Sequence, residues 1–399
     1  MLPSQIKLPA AYSLFNILGE NVEKLGLPII RLDIQSVMDA SQRKTGLSDF
    51  GTPSFLQGLE KLLDSLNNDA DLHFFGRMIA RWLLDITLTQ RLLFTRFHNN
   101  SPDLFSTRVD APIIITGLPR SGTTFLHRML SLAPNHTGIP LWEMLRPFNQ
   151  PGALDLRRQK ATWELVNCHK IFNGIKQKHF LRMDEPEEDI WMMGLTLQSP
   201  IFWILMPVAG YMEWLLRQDR SHCYREYGEL LKAQQQKQPG KRLILKAPDH
   251  MANLDLLISN IPNARIIQLH RDPVACVLSL SSLVYSTQSA FSRRINPNRL
   301  AEVNCNMVKH YLRTNRKLRK NPVVNKMILD ISYEELVQSP LAAVKQIYDF
   351  CDIPWSKEIE FDLQQFIIQQ PKNKFGEHNY QAEQFGLNSS ALSRSFKDL

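Results

Sequence analysis

Cysteine is scarce in this chain of 399 residues, which has five. The number is odd and no two cysteines stand at Cys-x-x-Cys spacing, so the sequence argues against a disulfide framework and against a zinc ribbon. Residues 1–26 also lack a basic segment followed by an apolar core and a small-residue cleavage site, which is the pattern of a secretory signal. These absences together predict a reduced, intracellular protein with a cytoplasmic location.

Other absences narrow the class of protein. The chain has no internal repeat, no low-complexity tract and no basic run interleaved with aromatic residues, which argues against a nucleic-acid groove. A composition of 44% hydrophobic and 22% charged residues excludes collagen, a coiled-coil rod and wholesale disorder. The excess of 47 basic over 39 acidic residues, a net charge of +8, suits an anionic small molecule, a nucleic acid or an anionic membrane surface without choosing between them.

One uncharged run, residues 190–212, is long enough to cross a bilayer. A spanning helix would be more uniformly aliphatic. The run therefore predicts a buried or substrate-facing pair of helices, with contact at a membrane surface left open as an alternative. The residues that interrupt it are Gly194, Gln198, Pro200, Pro207 and Gly210.

The apolar pattern divides the chain near residue 108. Residues 1–108 are predicted to form an N-terminal helical region, because apolar residues recur at three- and four-residue spacing in 59–69 and 74–98. Residues 42–55 and 101–104, with glycine, proline, serine and aspartate, are predicted breaks.

From residue 109 to 399, short apolar, β-branched runs alternate with helical patterns. This alternation predicts an α/β domain, with a central parallel sheet flanked by helices on both faces. Residues 134–240 form a long helical insertion between the first and second strands, rich in aromatic residues and methionine. The predicted strands are 111–116, 242–246, 265–270 and 326–331, and the predicted helices are 123–132, 249–258, 274–283 and 341–350.

The strongest local signal is residues 117–124, which read GLPRSGTT and join the first strand to a helix. In that context, backbone amides and the helix dipole converge on one anion. The spacing matches the Walker pattern of a P-loop-type fold, but Thr123 stands where its lysine should be. With Arg120 as its cation, the loop suits a phosphate held without a metal rather than metal-assisted γ-phosphoryl transfer.

A second signal lies in residues 270–279, which read HRDPVACVLS. Arg271 ends the third predicted strand, at the ligand edge of an open α/β sheet. Asp272 and Pro273 fit the N-cap and first turn of the next helix. Arg271 and Ser279 could grip a second phosphate together, and a structural Arg–Asp corner is the alternative.

Together the two motifs resemble the sulfotransferases that use 3′-phosphoadenylyl sulfate (PAPS), most closely the bacterial-type branch. The resemblance covers residues 110–399 and includes 245–250, 333–336, 378–380 and 385–387. The Arg-Lys-Gly-x-x-Gly tail of the cytosolic animal enzymes is absent, and residues 372–376 are a candidate substitute. The resemblance implies a 5′-phosphosulfate site at Arg120, Ser121, Gly122, Thr123 and Thr124, a 3′-phosphate site at Arg271 and Ser279, and a further donor contact at Tyr333.

The chemistry agrees with this resemblance. PAPS carries three or four negative charges, so two anion sites on one sheet edge explain both motifs. In-line sulfuryl transfer depends mostly on positioning and charge stabilisation, and no metal is demanded. Lys246 ends the second strand and resembles the family's lysine near the leaving oxygen, with a surface lysine as the alternative.

Two residues are candidate bases for the acceptor hydroxyl, and the sequence favours them equally. His250 has a suitable unperturbed pKa. Glu143 follows the phosphate-loop helix, and burial beside Trp142 could raise its pKa. Either could instead be a helix cap or a structural residue. The acidic run 184–189 is predicted to be a solvated helix start, with lining of the acceptor entrance as the alternative.

We therefore expect a sulfotransferase that acts on a small-molecule or lipid-like hydroxyl acceptor with a hydrophobic portion. The N-terminal helices and the insertion are expected to build the acceptor pocket. Two other functions stay open. A variant P-loop kinase would need Mg²⁺ and a lysine from elsewhere, for which Lys246 is the candidate. A catalytically silent nucleotide-binding protein would dock a partner or membrane through residues 190–212.

Overall fold

The computed structural model describes residues 10–25, 29–171, 182–369 and 382–397. A five-stranded, wholly parallel sheet lies at its centre, in the order β2-β3-β1-β4-β5. This confirms the predicted α/β fold. The strands are β1 Ile113–Gly117, β2 His136–Gly138, β3 Arg242–Lys246, β4 Arg265–His270 and β5 Ile328–Ser332.

The central strand β1 is buried along its whole length. Its residue Ile114 lies between Leu245 of β3 and Ile266 of β4. Helices cover both faces of such a sheet, so its strands are continuous apolar runs rather than alternating ones. All strands point the same way, and the loops after β1, β3, β4 and β5 therefore leave from one edge.

Strand β2 differs from the prediction, which placed only helices in the insertion. It has three residues and includes Gly138, so it shows neither alternation nor a β-branched run. Pairing with β3 at the sheet edge gives it its conformation. The predicted helix 249–258 also differs: it divides into a 3₁₀ turn, Pro248–Ala252, and a short α-helix.

Helices make up most of the rest of the described chain. Further 3₁₀ turns are Pro102–Phe105, Gly194–Thr196 and Ala382–Phe385. The α-helices are α1 Ala10–Lys24, α2 Ile34–Thr45, α3 Ser54–Asn68, α4 Phe74–Asn100, α5 Thr123–Leu130, α6 Leu141–Leu145, α7 Arg157–Ile171, α8 Ile190–Met193, α9 Ile201–Leu205, α10 Ala209–Leu215, α11 Ser221–Lys237, α12 Leu254–Asn260, α13 Pro273–Gln288, α14 Pro297–Leu318, α15 Pro322–Lys326, α16 Tyr333–Gln338, α17 Pro340–Phe350, α18 Lys357–Gln369 and α19 Ser389–Lys397.

Helix α2 extends four residues into the predicted loop 42–55. The hydroxyl of Thr45 donates to the carbonyl of Ser41, and Gly46 ends the helix with a left-handed φ of 70°. Glycine adopts that conformation without a side-chain clash, so the helix stops there rather than at the first polar residue.

The uncharged run 190–212 is a buried segment, as predicted, but it forms α8, α9 and the start of α10 instead of a helical pair. Pro200 precedes α9 and Pro207 follows it, which keeps each helix short. Throughout the described ranges, every helix is too short or too polar to cross a membrane.

A buried ion pair ties the N-terminal helices to the insertion. Both terminal nitrogens of Arg91 on α4 donate to the carboxylate of Glu226 on α11, at 2.8 Å each. The Arg91 side chain is 1% exposed, and its guanidinium lies 4.3 Å from the centre of the Phe55 ring. The N-terminal helices and the insertion also share one apolar core.

We expect Arg91→Met to lower the free energy of unfolding by ~3 kcal/mol, because Glu226 would lose its partner in a buried environment. Urea denaturation measures the loss. Arg158→Met is the matched control, since the Arg158–Asp184 pair is exposed on both sides and should contribute far less. Equal losses in the two variants would contradict this account of the core.

Candidate active site

A cavity of about 400 Å³ opens at the sheet edge where the strands end. The loops after four strands contribute to its wall, through Arg120 after β1, Asp249 after β3, Arg271 after β4 and Tyr333 after β5. The parallel sheet thus brings together segments that lie far apart in sequence, as expected for a ligand site in an open α/β fold.

The loop after β1 is shaped by two glycines with left-handed φ values. A Cβ on Gly117, at φ 139°, would collide with the carbonyl oxygen of Leu269. Gly122, at φ 91°, caps α5 beneath the Tyr333 ring. Between them Ser121 is fully buried, and its hydroxyl has no hydrogen-bond partner among the described residues. A buried hydroxyl at a helix N-terminus suits a bound anion, which would supply its missing partner.

The two motifs found in the sequence meet directly. Arg120 Nε donates to Ser279 Oγ at 3.1 Å, and Arg271 donates to the carbonyl oxygen of Arg120 at 2.5 Å. The Arg271 guanidinium lies 4.0 Å from the centre of the Tyr333 ring. Asp272 caps α13, as predicted, by accepting from two backbone amides. The structure therefore places two guanidinium groups at the predicted phosphate-binding edge.

Lys246 is fully buried at the end of β3, behind the residues that line the cavity, rather than on the surface. Its Nζ donates to Glu188 Oε1 at 2.6 Å and to Thr124 Oγ1 at 3.3 Å. Thr124 belongs to residues 117–124, the predicted phosphate loop, while Glu188 lines the cavity. The ammonium is thus shared between the loop and an acidic side chain.

The acidic run 184–189 corrects the prediction of a solvated helix start. Asp184 is exposed, but Glu187 and Asp189 are 1% and 0% exposed, and α8 begins only after the run. Glu187 and Glu188 both line the cavity, which matches the alternative considered from sequence. Sequence reasoning missed Glu188 because five carboxylates in six adjacent positions hide which one faces inward. Pro186, which breaks a helix, was the available signal.

His250 does not line the cavity but lies behind its wall. It is fully buried, with Nδ1 2.9 Å from the Tyr224 hydroxyl and Nε2 3.3 Å from Asp189 Oδ2. Tyr227 also donates to that carboxylate oxygen. Burial raises the pKa of Asp189. Both nitrogens of His250 are therefore engaged in holding other side chains.

Glu143 likewise does not line the cavity, although its neighbours Leu141 and Leu145 on α6 do. Its carboxylate accepts from Lys237 Nζ at 2.8 Å. Burial lowers the pKa of Lys237. The side chain of Glu143 thus faces α11, away from the meeting point of Lys246 and the phosphate loop.

The remaining wall of the cavity is mostly apolar. It comes from α4, α6, the uncharged run and α13, and includes Ile79, Trp82, Leu145, Ile190, Ile204 and Leu283. Helix α7 closes one side, where Glu164 accepts from Trp82 Nε1 and pairs with Arg146. The arrangement can hold an anion at one end and an apolar group at the other.

Two sequence features fall outside this account. Residues 372–376 and 378–380 lie outside the described residues. Phe385 is described, and it is buried against Tyr285 of α13.

Within the described ranges, the structure shows no cluster of three or more histidine, cysteine or acidic side chains that could hold a metal ion.

Comparison with known proteins agrees with this geometry. The sequence model of the sulfotransferase family matches residues 112–357, more than half of the chain. The chain belongs to the sulfotransferase family, which confirms the resemblance noted from its motifs.

Relatives and solved structures add detail. Omega-hydroxy-beta-dihydromenaquinone-9 sulfotransferase Stf3, from Mycobacterium tuberculosis and from Mycobacterium bovis, is 26% identical over 254 residues. That match covers 60% of this chain and 62% of the relative. The chain therefore spans less than two thirds of the relative's length. The crystal structure of sulfotransferase STF1 from M. tuberculosis is 26% identical, with a TM-score of 0.80 over 92% of this chain and 99% of that one. STF9 from Mycobacterium avium, at 23% identity over 92% and 96%, shows the same fold with a TM-score of 0.81.

Proposed function

We propose that this protein transfers a sulfuryl group from PAPS to the hydroxyl of an acceptor with an apolar portion. The observation that carries the proposal is the position of Lys246, which touches the phosphate loop on one side and a cavity carboxylate on the other. Sulfuryl transfer needs this combination, because a cation must meet the leaving oxygen while a base meets the acceptor.

The donor would bind along the sheet edge. The backbone amides at the start of α5, with Arg120, Ser121, Gly122, Thr123 and Thr124, would hold the 5′-phosphosulfate. The unpartnered buried hydroxyl of Ser121 supports this fit. Arg271 and Ser279 would hold the 3′-phosphate, with Tyr333 stacked on Arg271. PAPS supplies the activated sulfuryl group, and the chain needs no covalent intermediate of its own.

The transfer step assigns one role to each side chain. The acceptor oxygen forms a bond to sulfur while the bond from sulfur to the bridging phosphate oxygen breaks. Lys246 stabilises the charge that develops on that oxygen. The Glu188 carboxylate accepts the acceptor's proton, since it lines the cavity beside Lys246. Glu143 and His250 act indirectly in this scheme.

The acceptor would occupy the apolar end of the cavity. Its lining by α4, the insertion and α13 supports an acceptor with a lipid-like portion. The Stf3 relatives are named for a menaquinone derivative, which supports the same substrate class. Such an acceptor would bring the protein to a membrane surface. The cytoplasmic location expected from sequence is a separate prediction.

The donor site can be tested by ligand-induced stabilisation. At a concentration 100 times its Kd, adenosine 3′,5′-bisphosphate (PAP) should stabilise the protein by about 2.7 kcal/mol. Arg271→Ala should weaken this shift, whereas Arg265→Ala, at the opposite end of β4 and paired with Asp352, should keep it. Thermal unfolding measures both. A shift with ATP plus Mg²⁺ and none with PAP would overturn the proposal and favour an NTP-using enzyme.

The identity of the base can be tested by transfer kinetics. Glu188→Gln should lower kcat at least ~100-fold, because proton abstraction would lose its acceptor. Glu143→Gln should change kcat far less, since its carboxylate pairs with Lys237 outside the cavity. Release of ³⁵S-labelled product from labelled PAPS measures kcat. A large loss in Glu143→Gln with a small one in Glu188→Gln would reverse the assignment.

The acceptor class can be tested with a series of primary alcohols. We expect kcat/KM to rise about fourfold per added methylene until the apolar end of the cavity is filled. Ile204→Ser, in the cavity wall, should flatten this dependence, and Val323→Ser, at an exposed position, should not. Preferred sulfation of a small polar sugar would contradict the proposed acceptor.

A further inference from the structure

The Lys246 ammonium has two hydrogen-bond partners from different segments of the chain. It donates to Thr124 in the first turn of α5 and to the Glu188 carboxylate in the cavity. The ammonium is fully buried, while the Glu188 side chain is 20% exposed. A buried charge needs a counter-charge nearby, and in the free protein Glu188 supplies it.

A bound donor would add a second counter-charge to the same ammonium. The phosphosulfate would lie at the N-terminus of α5, beside Thr124, which is within hydrogen-bond distance of Lys246 Nζ. The donor anion and the carboxylate would then compete for one ammonium. Each would bind it more weakly in the presence of the other.

We propose that donor binding draws Lys246 away from Glu188 and thereby releases the carboxylate that accepts the acceptor's proton. This inference rests on the proposed function and adds a coupling within it. The Glu188 carboxylate accepts from the Lys246 ammonium at 2.6 Å, so this contact must open before the same oxygen can take the acceptor's proton. Glu188 would become an effective base only after the donor is in place, so the donor must bind before proton abstraction.

The surroundings allow the side chains to move while the backbone stays fixed. The amide of Asp189 donates to the carbonyl of Lys246 at 2.9 Å, which joins the two segments next to the ion pair. The buried Asp189 carboxylate is held in turn by Tyr227 and His250. A lysine side chain is flexible and has three donors, so it can exchange partners between fixed points.

The exchange also balances the proton of the reaction. The acceptor O–H bond breaks, its oxygen forms the new bond to sulfur, and its proton passes to the released Glu188 carboxylate. The electron pair of the broken sulfur–oxygen bond stays on the phosphate oxygen, beside Lys246. When PAP leaves, the proton returns to water and Lys246 pairs with Glu188 again.

A double-mutant cycle on donor-product affinity tests the coupling. Isothermal titration calorimetry gives the Kd of PAP for the wild type, Glu188→Gln, Lys246→Met and the double variant. Glu188→Gln should bind PAP about tenfold more tightly than the wild type, because PAP no longer has to break the ion pair. In the Lys246→Met background the same substitution should change Kd less than about twofold, because no ammonium remains to be shared.

The cycle separates competition from plain charge repulsion. If Glu188→Gln tightens PAP binding equally in both backgrounds, repulsion alone acts and the coupling is wrong. An unchanged Kd in Glu188→Gln would also overturn it. If Lys246→Met does not fold, Lys246→Gln completes the cycle with a polar side chain of similar length.

A charge-matched control comes from the same acidic run. Asp184→Asn removes one negative charge from an exposed side chain that pairs with Arg158 outside the cavity, so Kd should stay within about twofold. Absence of PAP binding in the wild type would refute the proposed function itself. Normal PAP binding with no coupling in the cycle would refute the partner exchange alone.

Discussion

Burial of the Lys246 ammonium at the end of β3 is the constraint on which the site depends. A charge with no exposure is tolerated only beside an opposite charge and polar partners. That requirement brings the acidic run against the sheet edge, with Glu188 on the ammonium and Asp189 bonded to the backbone of β3. The His250 side chain, behind the wall, then holds Asp189 in place. One buried charge thus accounts for the polar contacts that join the acidic run to the end of β3.

The order of the strands explains why a few short sequence motifs are enough to build the site. Strand β1 lies between β3 and β4, so the phosphate loop, Lys246 and Arg271 leave the sheet side by side. Each motif needs only the correct strand end and helix start, and the parallel pairing brings them together. The two arginines meet because Arg120 accepts a hydrogen bond from Arg271 through its own carbonyl group, at a left-handed φ of 70°.

A feature could be predicted from sequence when it depends on neighbouring residues, and not when it depends on distant ones. Four strands and the corners at 117–124 and 270–273 could be predicted from sequence, because strand–turn–helix corners are encoded by adjacent residues. Strand β2 was missed because its conformation comes from pairing with β3. Glu188 was missed for a related reason: its contact is with a lysine 58 positions away. Neither Glu143 nor His250 lines the cavity, because side-chain direction is set by packing that one sequence does not show.

The boundary of the family match has a consequence of its own. The matched segment begins at residue 112, yet Ile79, Trp82 and Leu83 of α4 form part of the cavity wall. The residues around the anion end and part of the apolar end therefore lie in separate stretches of chain, joined across the Arg91–Glu226 ion pair. Changes in α4 can reshape what fits the apolar end without touching the sheet edge. Substitutions in α4, which lies outside the segment that matches the family model, can therefore change which molecules bind.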